Sequence, residues 1–244
     1  MCIRDSNTTG VSNTAVGQNA LTANTTADQN TAVGKDALAA NTTGGANVAV
    51  GYAALTSNTT AANNSAVGYG ALSGNTTGSE NTALGLQALQ NNTTAAHNTA
   101  VGYRALKANT TGTNNVAVGT NALLDATTAS QNIALGNNAG ENITSDKNVA
   151  IGHNALATAT TGEHNTGVGD GVLANSSTSK NCAFGYHALV NQTTGSYNNA
   201  FGHNCMDATI TGPYNNAFGQ NALGALTGGT KNSAFGHDCM DNLT

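Results

Sequence analysis

The stretch that decides the fold is NTAVGQNALTANTT, residues 13–26, because the chain repeats it with small changes along its length. The next copy, NTAVGKDALAANTT, occupies residues 30–43. The glycine after Ala-Val marks each copy and is called the anchor glycine below. The anchor glycines are Gly17, Gly34, Gly51, Gly68, Gly85, Gly102, Gly119, Gly136, Gly152, Gly169, Gly185, Gly202, Gly219 and Gly236. Eleven of the 13 intervals are 17 residues and two are 16, a regularity that is typical of repeat proteins whose units stack on one another.

The composition excludes several classes of protein. Only 8 % of the 244 residues are charged, against about 25 % in a typical soluble domain. The net charge is −5 and Lys and Arg together number 7, which argues against nucleic acid as a partner, since neutralising phosphates requires clustered basic side chains. No apolar run approaches the roughly 20 residues that span a bilayer, so we expect no membrane insertion by this segment.

The two ends of the chain do not follow the repeat. Residues 1–6, MCIRDS, lack the apolar stretch of a signal peptide, and we interpret them as a non-native N-terminal tag. The last residues, DNLT, stop partway into another unit. We therefore expect residues 7–244 to be a single β-solenoid repeat domain, cut at both ends.

The repeat is too short for a pair of helices, because helical repeats run about 33 to 47 residues. The segment TAVG is short, β-branched and bounded by Asn and Gly, which is typical of a strand. The following Ala-Leu pair is predicted to form a second short strand. The sequence therefore predicts an all-β fold, a parallel β-solenoid of about 14 coils with a 17-residue repeat, in which each coil lies about 4.8 Å above the last.

Side chains alternate across a strand, so Val16 and Thr14 share one face while Ala15 and Asn13 share the other. We expect the bulky row to fill the coil and the alanine row to lie against a neighbouring chain. A coil of this size has a thin core, which predicts an obligate oligomer. The change from Val to Phe in the last four units predicts that the core widens there. The predicted core is Val16, Leu21, Val33, Leu38, Val50, Leu55, Phe184, Phe201, Phe218 and Phe235.

An asparagine stands four residues before every anchor glycine. The absence of any exception favours a ladder, in which each side-chain amide bonds to the copies above and below it. The alternative is a turn residue with its usual local hydrogen bond. Either role is structural. These residues are Asn13, Asn30, Asn47, Asn64, Asn81, Asn98, Asn115, Asn132, Asn148, Asn165, Asn181, Asn198, Asn215 and Asn232.

Two surface features could bind a ligand. Tyr52, Tyr69 and Tyr103 follow anchor glycines and would form a sparse outward stripe, interrupted at Leu86, that could stack on sugars; the alternative is that they are ordinary surface. A pair of threonines, such as Thr25 and Thr26, recurs in the loop. Adjacent residues point to opposite sides, so the pair predicts at most one outward rank. That rank could bind ice, or it could be a ladder that joins coil to coil.

The sequence gives no support for catalysis, a cofactor or a metal. No serine lies in a nucleophile elbow, and the carboxylates are scattered rather than paired in one site. His153, His203 and His237 share the position after the anchor glycine, which would suit a metal site on a symmetry axis. Other units carry Tyr, Gln, Lys or Asp in that position, so it is interpreted as exposed, and we expect no enzyme activity.

The motifs NTAVG, NVAVG, NSAVG and NVAIG, followed by xxAL, resemble the head repeats of trimeric autotransporter adhesins, the YadA-like heads, whose unit carries an S-V-A-I-G core. They resemble even more the NTxxGxxA…NTTG repeats of bacterial and phage tail-fibre-like proteins. The resemblance covers residues 7–244. The YadA-like unit is commonly shorter, so the additional residues here lie in the NTTG loop.

The resemblance implies a left-handed parallel β-roll in which three identical chains wind side by side. It also implies an extracellular location, on a bacterial cell surface or a phage virion, and attachment to a host-surface receptor, a glycan or a matrix protein. The expected function is therefore an adhesin or a fibre head or shaft. The alternatives are an ice-binding or other ligand-binding β-solenoid that uses the Thr ladder, and a pure structural spacer.

Overall fold

The computed structural model describes residues 7–241, so the predicted tag at residues 1–6 lies outside the described residues. It contains one short strand per repeat and two compact units, within residues 7–128 and 129–241. The first unit has β1 (Thr14–Val16), β2 (Thr31–Val33), β3 (Val48–Val50), β4 (Ser65–Val67), β5 (Thr82–Leu84), β6 (Thr99–Val101) and β7 (Val116–Val118). The second has β8 (Ile133–Leu135), β9 (Val149–Ile151), β10 (Thr166–Val168), β11 (Cys182–Phe184), β12 (Asn199–Phe201), β13 (Asn216–Phe218) and β14 (Ser233–Phe235).

Within each unit, consecutive strands pair in parallel and in register. Ala15 lies beside Ala32, and Val16 lies beside Val33. The 14 strands give about 13 turns with a 17-residue repeat, and the described residues contain no helix. This confirms the predicted all-β parallel β-solenoid.

The Ala-Leu segment is a turn and not the predicted second strand. It still bonds to the next coil, as Leu38 N donates to Ala54 O at 3.0 Å. Leu38 has a φ of 50°, however, which no strand residue adopts. A left-handed leucine costs about 1–2 kcal/mol, whereas full burial of its side chain contributes roughly 1.5–3 kcal/mol. Burial outweighs the backbone cost, so packing sets this corner of the coil.

The coil interior is lined by alanine and leucine, with the strand alanine pointing inward. Ala32, Ala37 and Leu38 are each 0 % exposed, whereas Val16 is 57 % and Phe235 is 68 % exposed. The predicted core residues with buried side chains are Leu21, Leu38 and Leu55. The prediction is wrong for the strand row Val16, Val33, Val50, Phe184, Phe201, Phe218 and Phe235, all of which are half-buried or exposed.

The reason for this reversal is the asparagine that shares a face with the strand alanine. Asn30 and Asn47 are 0 % exposed, and their amides need partners inside the coil. Because side chains alternate, the strand alanine must follow the asparagine inward and the valine must point out. Space inside is limited to a methyl group. At Gly167, which replaces the strand alanine, a Cβ would lie 2.4 Å from Leu156 Cδ1 and 3.0 Å from Val172 Cγ1.

The asparagine ladder links the coils, although mainly through the backbone. Within each unit, the Oδ1 atom of an asparagine accepts a hydrogen bond from the next asparagine's backbone N–H, as Asn30 N donates to Asn13 Oδ1 at 2.9 Å. The Nδ2 atom donates to a loop carbonyl, as from Asn30 to Gly44 O at 3.0 Å. Amide-to-amide bonds are longer, 3.2 Å between Asn47 Nδ2 and Asn30 Oδ1. Aspartate has no Nδ2 donor and serine has a shorter reach, which explains why only asparagine serves here.

A second asparagine ladder, which was not predicted from the sequence, runs along the loop, seven residues after the anchor glycine. Its amides do bond directly to one another, as Asn58 Nδ2 donates to Asn41 Oδ1 at 2.8 Å and also to Ala61 O at 2.9 Å. The members are Asn24, Asn41, Asn58, Asn75, Asn92 and Asn109, all buried. The next coil has Ala126 in this position, so the ladder ends and Asn109 Oδ1 is buried without a partner.

This end effect predicts a difference between two identical substitutions. Asn58→Ala removes the two bonds of its own amide. It also takes away one of the two acceptors of Asn75 Nδ2, which donates to Asn58 Oδ1 and to Gly78 O, each at 2.9 Å. Asn109→Ala removes only donor bonds, because its Oδ1 accepts none. We expect Asn58→Ala to lower the free energy of unfolding by about 1 kcal/mol more than Asn109→Ala. Urea unfolding of both variants at one protein concentration measures this difference. Equal decreases in the free energy of unfolding would contradict the idea that the ladder ends at Asn109.

Candidate interaction surface

The surface with the clearest capacity for interaction is the outward side of the sheet, here called the strand face and defined as the first and third residues of every strand. In residues 7–128 the third residue is Val in six strands and Leu84 in one. Val16 is 57 %, Leu84 is 47 % and Val67 is 37 % exposed. Parallel pairing stacks these side chains into a continuous apolar rank with one residue per coil. Exposed apolar patches of this kind are typical of protein–protein contact sites.

In residues 129–241 the third strand residue is Leu135, Ile151 or Val168 in the first three strands and phenylalanine in the last four. Successive rings from Phe184 to Phe235 stack with centroids 4.7–4.9 Å apart and interplanar angles of 2–9°. The strand alanines behind them, Ala183, Ala200 and Ala217, remain 0 % exposed, although Cys205 and Met206 replace the usual alanine and leucine in their coil. The prediction that these phenylalanines widen the coil core is therefore wrong, because they lie outside it. The phenylalanine rings instead project from the strand face, outside the coil.

The tyrosine stripe predicted from sequence is exposed. Tyr52 is 45 %, Tyr69 is 54 % and Tyr103 is 42 % exposed. Tyr52 and Tyr69 stack at 5.0 Å, and the Lys35 ammonium lies 5.7 Å from the Tyr52 ring centroid. Because Tyr52 and Tyr69 cover one face of each other, the stripe offers ring edges and hydroxyls more than free ring faces. Its binding of a sugar stays a prediction.

The threonine pair splits into a bonded row and an exposed row. The first hydroxyl donates to the next coil, as Thr42 Oγ1 donates to Thr59 O at 3.0 Å and Thr76 Oγ1 to Thr93 O at 2.9 Å. The second threonines, such as Thr43 and Thr77, are exposed. The pair therefore provides a coil-to-coil ladder and a single outward rank. Ice binding by the outward rank stays a prediction.

Four histidines each lie within 3.8 Å of a carboxylate, and all four of these pairs are at the surface. Among residues 7–241, no group of three or more His, Cys, Asp or Glu could hold a metal ion. His153 Nδ1 lies 3.1 Å from Asp170 Oδ1, and both side chains are about half exposed. Burial raises the pKa of the Cys205 thiol to about 11, which keeps it protonated and unreactive at neutral pH. Nothing in this arrangement brings an activated nucleophile and a base together.

Comparisons with protein-family models, with curated proteins and with solved structures found no match. Within the described part of the chain, no helix is long and apolar enough to cross a membrane. The strand face is therefore the feature from which a role can be argued.

Proposed function

We propose that this protein is an extracellular adhesin or fibre segment, a shaft or head in which three copies of the chain associate through their strand faces. The observation that carries the proposal is the apolar rank that each unit presents on its strand face, Val16 to Val118 in one and Leu135 to Phe235 in the other, exposed or half-buried on a protein whose other surfaces are largely small and polar. At about 25 cal/mol for each Å² of apolar surface removed from water, covering such a rank provides a strong drive for association.

The arrangement of the strand face favours copies that run parallel about a shared axis. Every coil presents the same type of residue at the same position, so parallel chains can place equivalent coils level with one another. Valine would then meet valine, and the four stacked phenylalanines would meet their own copies. The number three comes from the resemblance to YadA-like heads and tail-fibre-like repeats, and it closes the assembly without a free apolar edge.

The proposed role in attachment rests on the surfaces that such an assembly would leave outside. These carry the second threonine row and the exposed polar loops, which are rich in hydroxyl and amide groups. A rod of this kind suits repeated weak contacts with a receptor, a glycan or a matrix protein, because many identical contacts add through avidity. We place the protein at a bacterial cell surface or on a phage virion.

The test is the mass of the native protein in solution. We expect light scattering to give three times the chain mass of 24.2 kDa, with no dissociation on dilution to low micromolar concentration. The same preparation, immobilised on beads, is expected to attach to surfaces that carry polysaccharide or matrix protein more than beads coated with albumin do. A folded monomer would overturn the assembly, and a trimer whose beads attach no better than the albumin control would indicate a spacer.

A further inference from the structure

A column of basic and aromatic side chains lies on one corner of residues 129–241, five residues before the anchor glycine. On four successive coils this position holds Lys180, Tyr197, Tyr214 and Lys231, all exposed. We propose that this column is a binding site for a linear polyanionic glycan, one that carries a carboxylate or sulfate on its sugar units. The inference gives the proposed attachment role a ligand class and does not depend on the number of copies in the assembly.

The contacts within the column make it a row of hydrogen-bond donors. Lys180 Nζ donates to Tyr197 Oη at 2.8 Å. An ammonium has no acceptor, so the phenol oxygen accepts, and the hydrogen of the Tyr197 hydroxyl is left to donate elsewhere. The bond to Tyr197 raises the pKa of Lys180 above its ordinary value, so the lysine is charged at neutral pH. A ligand that meets this row must supply acceptors, and charged acceptors bind ammonium groups most strongly.

The ring geometry favours a glycan over a nucleic acid. Tyr197 and Tyr214 stack on each other with centroids 5.0 Å apart, and the Lys180 ammonium lies 5.0 Å from the Tyr197 centroid. The Tyr214 ring covers one face of Tyr197, and the Lys180 ammonium lies at the hydroxyl end of the same ring, whereas proteins that bind single strands stack bases on free aromatic faces. The donors repeat with the coil spacing of about 4.8 Å, which is close to the length of one sugar unit in an extended polysaccharide.

The charge around the column is favourable although the whole chain is acidic. The position just before the column holds Ser179, Ser196, Pro213 and Thr230 on these four coils, none of them a carboxylate. One coil earlier this position holds Glu163, whose carboxylate attracts the Lys180 ammonium. Beyond Glu163 the column carries two ammonium groups on a protein of net charge −5, and that contrast directs a polyanion to these coils.

The backbone holds the column in place at some cost. Lys180, Tyr197, Tyr214 and Lys231 have φ values of 60–64°, a region that favours Gly, Asn and Asp. The same conformation recurs at this position in other coils, for example at Gln29 (φ 61°) and His97 (φ 60°), so the fold of the repeat imposes it on the column. Backbone bonds such as Tyr214 N to Ser196 O, at 3.1 Å, fix the corner.

The experiment measures binding of the full chain to four probes: alginate, dextran sulfate, neutral dextran and oligothymidylate. We expect binding to alginate or dextran sulfate or both, weakened by added salt, and none to neutral dextran. The pair Lys180→Gln and Lys231→Gln should weaken binding by about tenfold or more, and Tyr197→Phe with Tyr214→Phe by a few-fold. The matched controls, Lys107→Gln and Tyr186→Phe, make the same chemical changes at other exposed or half-exposed positions and should leave binding unchanged.

Three results would overturn the inference. They are no binding of either polyanionic glycan, equal binding by the column variants and the wild type, and oligothymidylate binding that matches or exceeds alginate and is lost in the same variants. Light scattering on each sample separates this outcome from the assembly proposal. If the protein is a trimer but binds no polyanion, only the proposed glycan site is contradicted. If it is a monomer that binds alginate through the column, only the proposed trimer is contradicted.

Discussion

Replacing Gly68 by alanine is expected to destabilise the coils around it by about 3 kcal/mol or more, a range that single substitutions reach only through a specific structural conflict. Gly68 has a φ of 133°, a conformation that is essentially restricted to glycine. A Cβ there would lie 2.5 Å from Gly85 O and 2.7 Å from Gly85 C. These are backbone atoms of the next coil and cannot rotate away. Gly85 N also donates to Val67 O at 2.8 Å, so moving them breaks the sheet.

The chain provides a matched control two residues away. Gly70 also has a positive φ, 63°, but the nearest atoms to a Cβ there are side-chain ends at 3.8 and 3.9 Å. One coil earlier the same position holds Ala53, with a φ of 54°. We therefore expect Gly70→Ala to cost about 1–2 kcal/mol, the backbone contribution alone.

Thermal and urea unfolding of the two variants at equal concentration measures the contrast. Gly68→Ala is expected to unfold well below the wild type or to be recovered unfolded, while Gly70→Ala unfolds closer to it. If the two variants have the same stability, the close approach of anchor glycines in successive coils is not the reason that this position requires glycine.

Placing charge on the strand face is expected to separate the proposed trimer. Val67 is the third residue of β4 and is 37 % exposed, and Val101 is the third residue of β6 and is half-buried. With both changed to aspartate, three chains would bring equivalent carboxylates together in an apolar seam, where an unpaired charge costs several kcal/mol. We expect the mass from light scattering to fall from three chains to one.

The control places the same charges where no interface is proposed. Thr77 and Thr111 are exposed second threonines of the loop, and changing both to aspartate should leave the mass unchanged. If the double aspartate variant does not fold, Val67→Thr with Val101→Thr, which keeps the shape of the side chain, should still dissociate at a higher protein concentration than the wild type. If the threonine variant dissociates at the same protein concentration as the wild type, these residues do not lie in the interface.

The features of the fold that repeat along the chain could be predicted from the chain alone. The period located all 14 strands, since TAVG and its variants recur between Asn and Gly. The asparagine four residues before each anchor glycine pointed to a ladder for the same reason. The second ladder, at Asn24 and its equivalents, was missed because that position is asparagine in only part of the chain and reads as a turn residue.

The candidate surface was harder to predict, because alternation separates two faces of a strand without saying which one is inside. Size favoured Val16 for the interior, and the structure places Ala15's row there instead. The column at Lys180 was also missed. Its residues are 17 apart, and neither lysine nor tyrosine recurs often enough at that position to form a pattern.

The sequence by itself determined the architecture, because each coil stacks on a nearly identical neighbour, so the same pattern of residues predicts every coil. Tertiary structure alone decided the orientation of the strand. Asn30 needs partners inside the coil, and the space beside Leu38 admits only a methyl group. The pair Gly167 and Val172 shows this limit, since the valine takes the volume that the missing Cβ leaves. Such a balance of volume and hydrogen bonding belongs to the folded coil, and it is what turns the apolar rank outward.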